Sequence, residues 1–254
     1  LTAVAFGLHV GLLTSAAAGE PLLDQLRPVL SLETVDAEQT TTFENIYTPA
    51  GRVRYLRGQA SRPGVEHLPA AWRAAPMLHI APIAGELDET VGAIAHAFPQ
   101  ATSLLTLQGC LRRTDADQRV HFKQWFDHDA LEHIDIVVFS EEDIVEAPNM
   151  EREFAARVRC LIVTRAEKGG TIYLNGVPHA YSTPQVELVH PTGAGDIFAA
   201  ALLASLRLVD GDFERAVRVA AYLAARSVTR AGLASTPVPD EVQAALDSVR
   251  LSLD

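Results

Sequence analysis

The sequence predicts a doubly wound α/β fold, in which helices flank a mostly parallel sheet. Short apolar runs rich in Val, Ile and Leu recur along the chain, and segments with helical spacing of apolar residues separate them. With 254 residues, 48% of them hydrophobic, the chain has enough material for a large core. The predicted strands are 9–15, 77–82, 103–107, 135–139 and 160–164, and the predicted helices between them are 20–30, 86–98 and 149–158.

Residues 40–57 depart from this alternation. Two runs rich in Thr, Tyr and Val flank a Pro-Ala-Gly turn there, which is typical of a β-hairpin. We expect this hairpin to stand apart from the main sheet as a small lid.

After residue 195 the predicted pattern changes from alternating strands and helices to successive helices. Two long helices are predicted, at 196–207 and 212–229, and a last helix follows the Pro-containing segment that begins at residue 234. Asp240 is the expected N-cap of that last helix.

The composition excludes several kinds of partner and location. A net charge of −11 without any basic run opposes nucleic-acid binding, and the longest apolar runs are too short to span a membrane. Residues 1–21 resemble a signal peptide but lack a basic n-region, so we expect a cytoplasmic protein. Cys110 and Cys160 are expected to be free thiols.

The stretch HPTGAGDIF, residues 190–198, carries the strongest chemical signal. Gly193 and Gly195 leave room for backbone N–H groups to approach an anion where a helix begins, and Asp196 is placed to accept a proton from an attacking hydroxyl. The same residues also suit a plain helix cap in which Asp196 supplies the capping oxygen. A Rossmann fingerprint is disfavoured because its third glycine would fall on Phe198.

The whole pattern resembles the PfkB family of carbohydrate kinases, which have the ribokinase-like fold. PTGAGDIFAAALLASL is similar to the family's C-terminal signature, DIVVFSEEDI to its strand followed by Asn-x-x-Glu, and CLIVTRAEKGGTIY to its Thr-x-Gly-x-x-Gly segment. SVTRAGLASTPVP resembles the tail that closes the nucleotide pocket, and residues 40–57 resemble the strands that cover the sugar. The resemblance runs from about residue 5 to residue 245 and implies a single kinase domain over 1–254.

The resemblance implies ATP-dependent phosphorylation of a hydroxyl on a small sugar, polyol or nucleoside. Asp196 would be the catalytic base, and Gly193, Ala194 and Gly195 would form the anion hole for the transferring phosphoryl group. ATP would bind with Mg²⁺ as its counter-ion. The residues implied on the nucleotide side are Thr164, Gly169, Gly232 and Ser235.

Three departures from the family pattern affect these expectations. Asn-x-x-Glu is replaced by residues 140–143, Ser-Glu-Glu-Asp, which leaves Asp143 as the metal-side carboxylate, although Glu141 and Glu142 also suit a plain first turn of a helix. His190 replaces an Asp that helps relatives hold a monovalent cation, and a neutral imidazole is a poor ligand for potassium, so the resemblance leaves potassium activation open. The family's opening strand and Gly-Gly motif are missing before Leu1, which indicates a truncated start or a lost part of the sugar site.

The acceptor side is predicted from the segment after the third strand. Gln108 could donate to a polyol and Arg112 could meet an anionic substrate, while a surface arginine pair, Arg112 and Arg113, is the alternative. A homodimer through the lid is possible, since exposed strands can pair. The rival hypotheses are a non-catalytic ligand-binding or regulatory member of the same fold and, less well supported, an α/β dehydrogenase.

Overall fold

A computed structural model describes residues 1–48 and 51–250, which divide into two compact units. The N-terminal unit consists of residues 11–134 and 143–148, and the C-terminal unit of residues 1–10, 135–142 and 149–250. Neither unit is continuous in sequence. Within the described residues, no helix is long and apolar enough to cross a membrane.

Strands and helices are numbered in chain order. The strands are β1 (Gly11–Ala17), β2 (Ser31–Ala37), β3 (Thr42–Thr48), β4 (Gly51–Gly58), β5 (Met77–Ile80), β6 (Thr102–Thr106), β7 (Arg112–Thr114), β8 (Val120–Phe122), β9 (Ile136–Ser140), β10 (Cys160–Thr164), β11 (Gly170–Leu174) and β12 (Val177–Tyr181). The helices are α1 (Thr2–Ala5), α2 (Pro21–Leu26), α3 (Val91–His96), α4 (His128–Leu131), α5 (Asn149–Ala155), α6 (Ala194–Leu206), α7 (Phe213–Ser227) and α8 (Pro239–Arg250).

The N-terminal unit is built from pairs of strands. β1 pairs with β2 and β5 with β6, both in parallel, whereas β3 pairs with β4 and β7 with β8 as antiparallel hairpins. The predicted hairpin is therefore confirmed as β3 and β4, although its turn residues Pro49 and Ala50 lie outside the described part. Its role as a lid stays a prediction.

Two predictions for the start of the chain need correction. The run 9–15 does contain a strand, β1, but Ala16 is its only buried residue, because β1 has a single ladder neighbour in a two-stranded sheet. The helix predicted over 20–30 is only α2, which ends just before Arg27 and Pro28. Arg27 still has helical backbone, but Pro28 has no N–H to donate to the carbonyl of Asp24, so the regular hydrogen-bonding pattern of the helix stops there.

The C-terminal unit contains the sheet order β9-β10-β11-β12. β9 and β10 are parallel, while β11 and β12 continue as antiparallel neighbours. The middle of β9 and of β10 is fully buried, as the two apolar runs predict, and Phe139 packs edge-to-face on Phe154 of α5 at 5.7 Å between ring centroids. The predicted strands 135–139 and 160–164 are confirmed.

The helices after residue 193 form the other side of this core. α6 is buried at nearly every position from Ile197 to Leu206, and it packs along α7, whose N-cap Asp212 accepts a hydrogen bond from Arg215 N at 3.0 Å. Both helices match the predicted spans within two residues. The cap predicted for the last helix is wrong, because α8 begins at Pro239 and Asp240 is its second residue. Proline suits a first helical position, where an N–H would have no intrahelical partner.

Each unit holds one cysteine. Cys110 belongs to the N-terminal unit and Cys160 to the C-terminal unit, and both are free and completely buried. The prediction of free thiols is confirmed.

Candidate active site

The glycine turn lies at the start of α6. Gly193 is the N-cap, with a φ of +91° in the left-handed region that glycine enters most easily, and its carbonyl accepts the N–H of Ile197 at 2.9 Å. The N–H of Ala194 donates to the Pro191 carbonyl at 3.4 Å, and the N–H groups of Gly195 and Asp196 belong to the first turn, where a helix provides no carbonyl partners. A Cβ added at Gly193 or Gly195 would have no atom within 4 Å. The turn is thus open on the side of both glycines.

Asp196 is the third residue of α6 and is exposed. The N-cap is Gly193, so Asp196 is not itself the N-cap residue but lies at the third helical position. Its carboxylate lies in the first turn of a 13-residue helix, where the helix dipole favours a negative charge. Ile197 and Phe198 directly after it are buried, so Asp196 lies at the exposed start of a helix that is otherwise packed in the core.

Contacts on two sides hold the turn in place within the C-terminal unit. The N–H groups of Val189 and His190 both donate to the carbonyl of Val228 at 2.9 Å, which ties the segment ahead of the turn to the end of α7. On the sheet side, the ring of Tyr181 stacks on Phe198 with 6.0 Å between centroids. His190 itself is exposed.

Thr164 ends β10, and Gly169 lies five residues further on, in the tight turn into β11. Gly169 has a φ of +84°, and a Cβ there would collide with the carbonyl oxygen of Tyr181. The first glycine of the Thr-x-Gly-x-x-Gly pattern, its third position, is Ala166 in this chain, and it still has a positive φ of +48°. The backbone therefore keeps a conformation that suits glycine where the sequence has replaced glycine.

Arg165 is a residue of this turn that the sequence analysis missed. Its guanidinium contacts Glu151 at 2.6 Å and Glu141 at 3.3 Å, and Tyr173 donates to the same Glu151 oxygen at 2.7 Å. Glu141 also lies 3.8 Å from Lys168. The carboxylate of Glu141 thus belongs to an ion-pair network between the ends of β9 and β10. No signal in the sequence distinguished Arg165 from an ordinary surface arginine.

Gly232 and Ser235 bound a single 3₁₀ turn after α7. Gly232 has a φ of +60° with open space around it, and Ser235 is buried. The turn is held by Arg230, which donates to the carboxylate of Glu241 at 3.0 Å. Burial raises the pKa of Glu241, but hydrogen bonds from Arg230 and from the Val238 N–H outweigh it and leave the pKa below its usual value.

Gln108 and Asp143 are joined in the N-terminal unit. Gln108 follows β6, Asp143 lies in the 3₁₀ turn Glu141–Ile144, and the Gln108 Nε2 donates to the Asp143 Oδ1 at 3.0 Å. Arg112, at the start of β7, donates to the carbonyl of Ile83 at 2.7 Å and lies over the Phe43 ring at 5.4 Å. Arg113 is exposed, so the two arginines are not an equivalent surface pair.

The described residues contain no group of three or more His, Cys, Asp or Glu side chains that could hold a metal ion. Mg²⁺ is commonly bound through one or two carboxylates together with substrate phosphates and water, so it does not need such a cage. Asp143 offers hard carboxylate oxygens of the kind that Mg²⁺ takes. The donor set therefore fits a magnesium ion brought in with a phosphate ligand.

The chain matches the model of the pfkB family of carbohydrate kinases over residues 58–241. The chain belongs to the pfkB family of carbohydrate kinases.

Known proteins show the same relationship. The chain is 28% identical over 193 residues to the fructokinase of Escherichia coli, an alignment that covers 66% of this chain and 59% of the fructokinase. Among solved structures, a pyrophosphate-dependent kinase of the ribokinase family in complex with sulfate superposes with a TM-score of 0.81 at 17% identity, covering 96% of this chain and 88% of that one. ATP-bound fructokinase from Xylella fastidiosa gives 0.75 at 17% identity, covering 97% and 88%. These likenesses confirm the predicted ribokinase-like α/β fold.

Proposed function

We propose that the protein transfers the γ-phosphoryl group of ATP to a hydroxyl of a small sugar, polyol or nucleoside. The observation that carries this proposal is the open glycine turn at the start of the buried helix α6, with Asp196 in its first turn. A helix start supports an anion, and a carboxylate beside it can take the proton of the attacking hydroxyl.

In this proposal the glycine turn and Asp196 have separate roles. The backbone N–H groups of Gly193, Ala194 and Gly195 stabilise the negative charge that develops on the phosphoryl group. Asp196 accepts the hydroxyl proton as the new oxygen–phosphorus bond forms and the bond to the leaving ADP breaks. Because α6 is packed on all sides, neither group has to be ordered when substrates bind.

The remaining predicted residues are assigned to the two substrates. Thr164, Gly169, Gly232 and Ser235 are proposed for the nucleotide side, and Asp143 for the water shell of Mg²⁺, which neutralises phosphate charge when bound. Arg112 and Gln108 are proposed for the acceptor side. The reaction is placed in the cytoplasm, in agreement with the free thiols of Cys110 and Cys160.

The test is an assay with ATP and Mg²⁺ on a panel of sugars, inositols and nucleosides. Fructose is included because the E. coli relative is a fructokinase. Pyrophosphate is tested as a second phosphoryl donor because one structural neighbour is a pyrophosphate-dependent kinase. We expect turnover of at least one acceptor. Asp196→Asn should slow it by about two to four powers of ten, the range for loss of a general base. Asp240→Asn removes a carboxylate from the first turn of another helix, α8, and should leave the rate unchanged.

The competing function is ligand binding without turnover, which the replacements at Ser140 and His190 favour. It predicts tight binding of nucleotide or acceptor with no product from any member of the panel. A rate for Asp196→Asn equal to that of the unaltered protein would also contradict the proposed role of Asp196. A homodimer through the β3–β4 hairpin is proposed as well, and sedimentation of the purified protein measures it.

A further inference from the structure

Gln108 lies in a turn whose backbone is closely packed and has little conformational freedom. The turn Leu107–Gly109 follows β6, and both Leu107 and Gly109 are buried. A Cβ at Gly109 would collide with the backbone of Pro82, so the two segments are in direct contact and only glycine fits. The turn is therefore pressed against the loop that follows β5.

Hydrogen bonds also hold the loop after β5 in place. Glu86 accepts hydrogen bonds from the N–H groups of Ile83 at 2.9 Å and Ala84 at 2.6 Å, and Arg112 donates to the Ile83 carbonyl at 2.7 Å. Both the support and the turn thus have defined positions.

A half-buried side-chain contact holds the end of β6 against β5. The His79 Nε2 lies 2.7 Å from the Thr106 Oγ1, which joins the neighbouring strands β5 and β6 just before the turn begins. Burial lowers the pKa of His79 to about 4, so the ring is neutral and keeps one donor and one acceptor at physiological pH.

The orientation of the Gln108 amide follows from its partner. An ionised carboxylate can only accept hydrogen bonds, so the amide nitrogen of Gln108 must face the Asp143 Oδ1 across the 3.0 Å contact. Asp143 lies on a one-turn segment 35 residues away, which by itself gives its side chain little support. Gln108 is therefore the rigid member of the pair, and its amide holds the side chain of Asp143 in place.

We propose that Gln108 is a positioning residue that holds the carboxylate of Asp143 in one orientation, the one in which it serves Mg²⁺. This inference rests on the proposed function, in which Asp143 serves Mg²⁺, and it adds to Gln108 a role that its place after β6 did not suggest. Partners of this kind hold metal-side ligands in one orientation, and their loss commonly weakens metal affinity by about 10- to 100-fold.

The experiment measures metal binding apart from turnover. Mn²⁺ replaces Mg²⁺ as the probe, and free Mn²⁺ is followed by electron paramagnetic resonance while the full-length protein is titrated at fixed ATP. Gln108→Leu removes the donor at nearly the same side-chain size. We expect Gln108→Leu to weaken Mn²⁺ binding by about 10- to 100-fold.

Asp143→Asn supplies the reference for a double-mutant cycle. If Gln108 acts through Asp143, adding Gln108→Leu to Asp143→Asn produces no further loss of Mn²⁺ affinity. In steady-state assays, Gln108→Leu should raise the Mg²⁺ concentration needed for half-maximal rate, as Asp143→Asn should.

The outcomes separate the two proposals. If the unaltered protein binds Mn²⁺ no better than Asp143→Asn, the metal role of Asp143 fails and the inference fails with it. If the unaltered protein exceeds Asp143→Asn but equals Gln108→Leu, or if Gln108→Leu changes only the acceptor KM, the inference alone is overturned. Inertness toward every acceptor counts against the proposed function and leaves the Mn²⁺ comparison decisive for Gln108.

Discussion

Two glycine turns of the C-terminal unit have similar backbones and opposite surroundings. Gly169 and Gly193 have nearly equal φ values, +84° and +91°. Around Gly169 the chain is crowded, because the Tyr181 carbonyl occupies the place of a side chain, whereas the space beside Gly193 and Gly195 contains no protein atom within 4 Å. The first turn needs glycine in order to fold. The second leaves a space that folding does not use, which is the expected property of a turn that receives a ligand.

The largest effect is expected where glycine is needed for folding. Gly169→Ala combines left-handed strain with a collision against the Tyr181 carbonyl and should lower the free energy of unfolding by about 4 kcal/mol or prevent folding altogether. Urea unfolding followed by circular dichroism measures this. Gly176→Ala is the matched control, since its φ is +81° but the nearest atom to its Cβ is at an ordinary 3.5 Å, so it should lose only about 1–2 kcal/mol. Equal losses of unfolding free energy in the two variants would show that the collision with the Tyr181 carbonyl does not contribute to the effect at Gly169.

Gly195→Ala should give the reverse pattern. Its Cβ meets no protein atom and its φ is not positive, so alanine in the first turn of α6 should leave stability unchanged or raise it by up to about 1 kcal/mol. Kinase activity should fall by about 100-fold, because the methyl group occupies the space proposed for the phosphoryl group and displaces it. The activity assay and the same urea unfolding are run together.

Gly211→Ala is the control for this second variant. Gly211 also has open space around it, with a φ of +78°, and lies outside the proposed site, so its substitution should reduce stability without reducing the rate. Full activity in Gly195→Ala would remove the argument that the open turn receives the phosphoryl group.

The smallest effect is expected at Ala166, the alanine in the crowded turn. Its φ of +48° is unfavourable for a side chain with a Cβ, so Ala166→Gly should stabilise the protein by about 0.5–1 kcal/mol, measured as a rise in the thermal midpoint. Asn175→Gly, with a φ of +49°, should gain less because asparagine tolerates the left-handed region. A lower midpoint for Ala166→Gly would mean that its methyl group makes packing contacts that outweigh the strain.

The sequence predicted the elements whose apolar runs are continuous. β5, β6, β9 and β10 lie within one residue of the predicted runs or inside them. The strands β2, β7, β8, β11 and β12 were missed because polar residues, glycine or proline interrupt their apolar letters, so none of them forms a continuous apolar run. The helices α6 and α7 were predicted well because their spacing persists over three or more turns.

The candidate site was predictable only where one segment contains it. Residues 193–196 are contiguous, so the helix start could be inferred from letters alone. The collision at Gly169 depends on Tyr181, the contact of Gln108 depends on Asp143, and the network of Arg165 depends on Glu151, each brought close by the fold over 12 to 35 residues of chain. Spatial partners of this kind leave no pattern in a single sequence.

The two buried cysteines offer a practical consequence. Burial raises the pKa of both thiols, that of Cys160 to about 12, so neither forms the reactive thiolate while its surroundings stay closed. An alkylating reagent added to the native protein therefore marks Cys110 only when the N-terminal unit opens and Cys160 only when the C-terminal unit opens. Mass spectrometry of the two labelled peptides gives a separate opening rate for each unit without any engineered probe.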